Sequence, residues 1–320
     1  MRVFWIDDDP GRKRFSDDIG ASFIDARSTK FAEELNVVLT GTPPHLVVLD
    51  HFLRNVKLDN QMYKRGSTIA EAVKENWPTC PVVGITANAN DSKISRRTRL
   101  NYDELFYSYR FLEHRKQIKS IAEGFARISK EEQADTLTLI TLLKPLKKDE
   151  SRLMAALPSE LKSSILDDGV ASTFYAWVRY LMDRPGFLFD HLWAATFVGL
   201  SDKGFRKVED EFRKATYKGV FSNDDEPRWW ANRLAEELFE KVPPGPAEMS
   251  WHVGRKLEGI SIDDYSRCYK CRKINPPPET IAFLDRESEE RRAMHFECTI
   301  LHPSFKRELY FEDVRMMEDE

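Results

Sequence analysis

The sequence predicts an α/β fold for its first 130 residues, a doubly wound five-stranded parallel sheet. An all-α domain and a small α+β module are predicted to follow it. Three observations lead to this prediction. Short apolar runs alternate with amphipathic segments up to about residue 130. Strand signals then stop until about residue 240, and residues 243–246 read Pro-Pro-Gly-Pro, which breaks the chain. The predicted domains are therefore 1–130, 131–246 and 247–320.

The strands of the first domain are recognised by their continuous apolar runs. Leu-Val-Val-Leu at 46–49 and Val-Val-Gly-Ile at 82–85 are typical of parallel strands that helices cover on both faces. The predicted strands are 2–6, 22–26, 45–50, 81–85 and 104–109. The helices expected with them are 11–20, 29–39, 66–76, 91–100 and 111–129. Apolar residues at helical spacing indicate that the last helix packs on the sheet: Ile118, Ile121, Ala122, Phe125 and Ile128.

The middle of the chain is rich in aromatic residues within helix-like segments, and these are dense enough to form a core. The predicted helices are 131–145, 151–167, 170–183, 187–200, 204–215 and 228–241. Trp229 and Trp230 are predicted to be core residues rather than a stacking surface. His191 lies in an apolar helix beside Asp190, and we interpret it as structural rather than as an acid–base catalyst.

Composition excludes several classes of protein. The 320 residues are 41% hydrophobic and 32% charged with a formal net charge of -4, so no global charge favours nucleic acid or an anionic membrane. No run approaches the roughly 20 apolar residues that a membrane helix needs. The first residues enter a strand directly and lack the pattern of a signal peptide. We expect a cytoplasmic protein with no membrane partner.

Acidic residues follow two of the predicted strands. Asp7, Asp8 and Asp9 end the first strand, and Asp50 ends the third. Because the carboxyl ends of parallel strands meet at one edge of the sheet, these carboxylates are expected to lie close together. Such a group can hold a hard divalent cation, and one of its members can act as a nucleophile toward a phosphoryl group.

The first 130 residues resemble the receiver domain of bacterial response regulators. Three motifs carry the resemblance in the family's order: Ile-Asp-Asp-Asp-Pro at 6–10, Leu-Val-Val-Leu-Asp at 46–50 and Val-Gly-Ile-Thr-Ala at 83–87. The resemblance implies a receiver or flavodoxin-like fold. Residues 51–65 lengthen the loop after the third strand relative to the family.

This resemblance also implies a role for individual residues. Asp50 would be the phosphoacceptor. Asp8 would bind Mg²⁺ directly, Asp7 mostly through water, and the backbone carbonyl of Phe52 would complete the protein ligands. Thr86 would bond to the phosphoryl group and move when it arrives.

At the fifth strand the chain departs from the family, which usually has Lys followed by Pro. Alignment on the following helix places Arg110 at the Lys position and Tyr107 at the switch aromatic. The partners implied are a histidine kinase or a phosphotransfer protein, another signalling protein, and a second copy in a homodimer.

Three of the four cysteines fall within a short C-terminal segment. Cys268 and Cys271 form a CxxC pair, and His295 and Cys298 form an HxxC pair. Two such pairs predict a structural Cys₃His zinc site, with His302 as an alternative fourth ligand. The pattern is similar to treble-clef and zinc-ribbon modules.

The function favoured by these features is two-component signalling, in which phosphorylation of Asp50 changes the contacts of the helical and zinc-binding regions. One alternative is a pseudo-receiver that acts as an adaptor without phosphorylation. Another is a regulator that binds nucleic acid through the zinc module, although residues 267–292, around the cysteine and histidine pairs, are only slightly basic. An enzyme in the helical region ranks last, because the sequence shows no nucleophile–base pair or phosphate loop there.

Overall fold

The computed structural model describes residues 1–53, 56–58, 61–63, 66–86, 101–107, 111–128, 136–162, 170–183, 186–274, 279–283, 290–299 and 314–316. The chain divides into two compact units. The first comprises residues 1–178 with 219–225, and the second comprises residues 179–218 with 226–320. The domain boundaries expected near residues 130 and 246 stay a prediction.

The first unit is built on a five-stranded parallel sheet, which confirms the predicted fold class. Its strands are β1 (Val3–Asp7), β2 (Ser22–Asp25), β3 (Leu46–Asp50), β4 (Val82–Thr86) and β5 (Glu104–Tyr107). They lie in the order β2-β1-β3-β4-β5, and all four neighbouring pairs are parallel. Each strand begins within one residue of its predicted start, because apolar runs this short and dense are well defined in the sequence.

Helices follow the strands where the sequence predicted them. They span Lys13–Asp18, Phe31–Thr40, Gly66–Asn76 and Phe111–Ile128. The helix predicted over 91–100 lies outside the described residues. Within the long loop after β3, Val56–Leu58 and Gln61–Tyr63 pair as a short antiparallel ribbon.

The helix Phe111–Ile128 buries the five apolar residues that the sequence selected, as expected. Gly124, on the same helix, lies against a side chain from a distant part of the chain, Phe221. A Cβ added at Gly124 would lie only 2.2 Å from Cδ1 of Phe221. Phe221 also contacts the rings of Phe125 and Tyr175, with centroids 5.4 and 4.9 Å away. The close approach of Phe221 explains why glycine occupies position 124.

The first unit continues with helical segments. These are the helices Thr136–Leu142 and Lys147–Ala156, a 3₁₀ turn at Ser159–Leu161, and most of the helix Val170–Asp183. This last helix has the bounds that the sequence predicted, and its buried aromatic residues include Phe174, Tyr175 and Trp177. The predicted helical content after the sheet is therefore present.

Helices also dominate the second unit. Its α-helices are His191–Phe197, Asp202–Arg206, Ala231–Lys241 and Ser250–Gly254, with 3₁₀ turns at Glu209–Ala215 and Ile262–Asp264. Their apolar faces form one core, and its aromatic members include Trp193, Phe205, Phe212 and Trp229.

Two short strands interrupt the segments that the sequence assigned to helices alone. Leu188–Phe189 pairs with Trp229–Trp230 in an antiparallel arrangement. The following helix begins only at His191, because the Asp190 side chain accepts a hydrogen bond from the Trp193 amide at 2.8 Å and caps it. The helix expected from residue 228 begins at Ala231, because the aromatic pair before it forms a strand with Leu188–Phe189 instead. Trp229 and Trp230 are buried, as predicted.

Near the C-terminus three short strands form a separate sheet. Glu279–Phe283 pairs antiparallel with Arg291–His295 and parallel with Val314–Met316. In the part of the chain that the structure describes, no helix combines the length and the apolar character needed to span a membrane.

Candidate functional site

The acidic residues predicted at the sheet edge come together on adjacent strands. Ile6 of β1 is paired with Leu49 of β3, so Asp7 and Asp50 end neighbouring strands side by side. Ligand oxygens of Asp7, Asp8 and Asp50 all lie within 4.8 Å of one another. The strand order 2-1-3-4-5 is that of flavodoxin-like folds, which bind ligands where the strand order reverses, between β1 and β3. The three carboxylates occupy this position.

Asp7 is fully buried and held by three donors. Its Oδ2 accepts hydrogen bonds from Nε1 of Trp5 and from Nη1 of Arg12, both at 3.1 Å, and its Oδ1 accepts from the Asp9 amide at 2.9 Å. Burial raises the pKa of Asp7, and the guanidinium of Arg12 opposes this effect. The orientation of this carboxylate is therefore fixed before any ligand binds.

Asp50 is also buried, with an exposed fraction of 5%. Its Oδ1 accepts a hydrogen bond from the Phe52 amide at 3.4 Å, and its Oδ2 faces Arg12. Burial and the neighbouring Asp7 raise the pKa of Asp50 to about 7, although Arg12 lowers it. Near neutral pH this carboxyl group is therefore only partly ionised, and a nearby cation would lower its pKa and increase the ionised fraction.

Arg12 was not selected from the sequence, yet it contacts both key carboxylates. Its Nη1 lies 3.1 Å from Oδ2 of Asp7 and 3.3 Å from Oδ2 of Asp50. A 3₁₀ turn over Pro10–Arg12, capped by the Asp9 side chain, directs it back toward the strand ends. Burial alone would lower the pKa of Arg12, but the two carboxylates outweigh burial and raise it. The Pro-Gly pair before Arg12 is the sequence signal that could have indicated this turn.

The remaining residues predicted at this edge lie on the strands next to β3. Thr86 is fully buried at the end of β4, one residue beyond the pairing of Asp50 with Ile85. Tyr107 is paired with Thr86 through the backbone of β5. Arg110 lies outside the described residues.

Two residues missed by the sequence analysis line the segment just after Asp50. His51 is buried, and its Nδ1 lies 3.1 Å from the hydroxyl oxygen of Tyr102. Gly66 donates its amide to the carbonyl of His51, and a Cβ added there would lie 2.1 Å from the carbonyl oxygen of Asp50. The chain therefore returns from the ribbon directly onto the end of β3, where only glycine fits.

The C-terminal unit brings together the four residues predicted as zinc ligands. Ligand atoms of Cys268, Cys271, His295 and Cys298 all lie within 4.8 Å of one another. Nδ1 of His295 lies 3.1 Å from Sγ of Cys271 and 3.9 Å from Sγ of Cys298. In a tetrahedral zinc site the N and S ligands are roughly 3.6 Å apart, so these spacings suit the metal. The alternative ligand His302 lies outside the described residues.

The cysteines of this cluster are held in different electrostatic environments. Burial would raise the pKa of Cys268, but the backbone amides of Cys271, His295 and Lys270 outweigh it and lower that pKa. Burial and the neighbouring Cys268 and Cys271 raise the pKa of Cys298 to about 11. A cation placed among the sulfurs would favour the thiolate form of all three.

His191 is held between two carboxylates of the second unit. Its Nδ1 lies 2.7 Å from Oδ1 of Asp202 and its Nε2 lies 3.1 Å from Oε2 of Glu209. The ring also packs edge-on against Phe205 and Trp229. The structural role of His191 stays a prediction.

The solved structures that are similar to part of this chain include receiver domains of response regulators. No family model and no curated protein sequence matches it. A response regulator from Thermotoga maritima, solved with Mg²⁺ and BeF, is similar at 18% identity and a TM-score of 0.29, over 38% of this chain and 97% of its own. A receiver domain from Methanospirillum hungatei has 16% identity and a TM-score of 0.30, over 40% and 97%. One from Rhodospirillum rubrum has 22% identity and a TM-score of 0.28, over 40% and 94%.

Proposed function

We propose that residues 1–128 act as the receiver of a two-component signalling protein, which accepts a phosphoryl group on Asp50 with Mg²⁺. The observation that carries the proposal is the position of Asp7, Asp8 and Asp50 at the β1/β3 edge, with ligand oxygens within 4.8 Å. Thr86 at the end of the adjacent strand supports it, since a hydroxyl there is close in the sheet to the acceptor. In this proposal the protein works in the cytoplasm.

The donor set fits Mg²⁺, which prefers hard oxygen ligands and keeps several of its waters. Asp8 and Asp50 would bind the ion directly, Asp7 mostly through water, and the carbonyl of Phe52 would complete the protein ligands. Three carboxylates this close repel one another when ionised, so a divalent cation stabilises their charged forms. When bound, Mg²⁺ would supply the positive charge that offsets the oxygens of the acceptor and the donor.

In the proposed reaction an oxygen of the Asp50 carboxylate attacks the phosphorus of a phosphohistidine. The donor is a histidine kinase or a phosphotransfer protein. A P–O bond forms, the P–N bond breaks, and its electron pair stays on the imidazole nitrogen, which leaves with a proton from solvent. Attack requires the ionised carboxylate, so the raised pKa of Asp50, about 7, makes the nearby positive charge important at neutral pH.

The roles of three further residues rest on the resemblance to receivers. The Thr86 hydroxyl donates to the phosphoryl group, Tyr107 changes its position, and Arg110 takes the place of the family's Lys. Arg offers a planar fork of donors rather than a point charge, which suits a phosphoryl group. The rearrangement then alters contacts with the helical region, with another signalling protein or with a second copy of the chain.

The experiment that tests the proposal is Mg²⁺-dependent binding of beryllofluoride, which mimics the aspartyl phosphate. Wild type, Asp50→Asn and Asp25→Asn are compared by tryptophan fluorescence. Asp25 is a matched control, because it ends β2 at the same edge and pairs with Asp7 in the sheet. We expect saturable binding to wild type and Asp25→Asn only. Absence of binding to all three proteins would contradict the proposal and favour the phosphorylation-independent adaptor.

A second proposal concerns the C-terminal module, in which Zn²⁺ is held by Cys268, Cys271, His295 and Cys298. The spacings of their ligand atoms support a closed tetrahedral site, the form that structural zinc takes. The metal would connect the turn that carries the CxxC pair to the end of the strand Arg291–His295. We assign it a structural role that presents a protein-binding surface, with nucleic acid as the alternative partner.

A further inference from the structure

Arg12 places a positive charge against two of the three clustered carboxylates that could hold a cation. Its Nη1 lies between Oδ2 of Asp7 and Oδ2 of Asp50, at 3.1 and 3.3 Å. Its Nε lies 3.8 Å from Oδ2 of the more exposed Asp9. One side chain therefore neutralises part of the charge of three carboxylates.

The oxygen atoms that Arg12 contacts are different from those that accept backbone amides. Oδ1 of Asp7 already accepts the Asp9 amide, and Oδ1 of Asp50 already accepts the Phe52 amide. The remaining oxygen of each carboxylate, Oδ2, faces the guanidinium. A divalent cation bound directly to Asp50 and through water to Asp7 would compete with Arg12 for these two oxygens.

Arg12 also lies on the solvent side of the acids. Its side chain is 19% exposed, whereas the side chains of Asp7 and Asp50 are 0% and 7% exposed. A guanidinium is always charged and is less strongly hydrated than an ammonium group, so it is well suited to remain against partly buried carboxylates. Arg12 is therefore the more exposed member of both ion pairs.

We propose that Arg12 is a resident counter-cation of the phosphoacceptor site, which competes with the divalent cation for Asp7 and Asp50. Arg12 thereby sets the Mg²⁺ concentration at which the site becomes competent, and it must turn away when the ion binds. This inference rests on the proposed magnesium site and adds a residue that regulates it.

The test measures Mg²⁺ binding alone, without a phosphodonor. The affinities of wild type and Arg12→Gln for Mg²⁺ are determined by calorimetry on the full chain, and Trp5, which donates to Asp7, provides a fluorescence signal. Arg14→Gln is the matched control, because Arg14 is exposed, follows two residues later, and lies over the ring of Phe15. Both variants change the net charge equally.

We expect the dissociation constant of Arg12→Gln to fall by about tenfold or more, since an ion pair at 3–4 Å in a partly buried site is only weakly screened. Arg14→Gln should change it by less than about twofold, because exposed charges are screened by solvent. An unchanged or weaker affinity of Arg12→Gln, or no binding by any of the proteins, overturns the proposal.

A second variant, Arg12→Lys, keeps the proposal testable if Arg12→Gln folds poorly without the ion. Arg12→Lys keeps the positive charge but has a single ammonium in place of the fork, so its Mg²⁺ affinity should lie between those of wild type and Arg12→Gln. The order wild type, Lys, Gln supports competition, and any other order contradicts it. If Mg²⁺ binds as expected and beryllofluoride does not, only the proposed phosphorylation fails.

Discussion

The hydroxyl of Tyr175 donates a hydrogen bond of 2.9 Å to Oε2 of Glu104. Glu104 is the first residue of β5, and Tyr175 lies on the helix Val170–Asp183. A second connection lies nearby, where Nζ of Lys74 contacts Oδ2 of Asp103 at 2.6 Å and Oγ of Ser172 at 2.9 Å. The edge strand that ends at Tyr107 is therefore bonded at its other end to the helical segment that follows the sheet.

This bond should contribute measurably to stability. Because the Tyr175 hydroxyl is buried and its acceptor is a carboxylate, we expect a coupling energy of about 1–2 kcal/mol between the two side chains. A double-mutant cycle with Tyr175→Phe and Glu104→Ala, followed by urea denaturation of the full chain, measures it. Strictly additive effects would mean that the contact stabilises nothing.

Asp50 should make stability depend on pH. Its folded pKa of about 7 exceeds the ordinary value of 3.8, so the folded state binds the proton more tightly than the unfolded state. Stability therefore falls as pH rises from about 4 to 7 and stays lower above that range. The full effect has an upper bound of about 4 kcal/mol, since each pH unit between the two pKa values corresponds to about 1.36 kcal/mol.

The variant Asp50→Asn removes this titration. We expect it to be more stable than wild type at pH 8 in the absence of divalent cations, and the difference should vanish near pH 4. Thermal unfolding across this pH range, with Asp25→Asn as the control, provides the measurement. Equal pH profiles for wild type and Asp50→Asn would contradict the raised pKa.

Zinc should be present at about one ion per chain and should be lost on substitution of its ligands. Cys271→Ser and His295→Ala remove ligands from the proposed site, whereas Cys80→Ala removes a buried cysteine of the sheet core. Metal analysis of the purified variants should show loss of zinc in the first two only. Chelation should also lower the melting temperature of wild type, because metal binding contributes to folding. A wild-type protein free of zinc after expression with the metal would refute the site.

Gly124→Ala should destabilise the first unit, although alanine favours helices. The added Cβ would lie 2.2 Å from Cδ1 of Phe221, and overpacking of this kind costs about 1–3 kcal/mol. Phe221→Leu removes the ring and should relieve the clash, so the double variant should lose less stability than the sum of the single variants. Chemical denaturation of the four proteins decides between these outcomes, and additivity would exclude the proposed clash.

Local sequence patterns were sufficient to predict the strands of the sheet and the residues of both clusters of candidate ligands. Apolar runs located the strands within one residue at their starts, and the acids after β1 and β3 then met because parallel strands align their carboxyl ends. The CxxC and HxxC patterns each place two ligands on one turn, and a backbone hydrogen bond from Tyr269 to Ala293 joins the segments that carry the two pairs. Arg110 and His302, which belong to the predicted sites, lie outside the described residues.

Local sequence patterns did not predict contacts between residues that are far apart in the chain. Trp229 and Trp230 were expected to begin a helix, but pairing with Leu188 and Phe189 makes them a strand. Nothing in the 39 residues between Phe189 and its partner Trp229 signals this pairing, because β pairing depends on which strand edges the tertiary structure brings together.

The sequence by itself determined the order of strands and helices and the residue types at the sheet edge, because both depend on short-range periodicity and on strand ends. Only the tertiary structure decided that Arg12 lies between Asp7 and Asp50, that Tyr175 bonds to Glu104, and that Phe221 covers Gly124. These contacts depend on how turns direct side chains and on packing between segments far apart in the chain, neither of which a local pattern records.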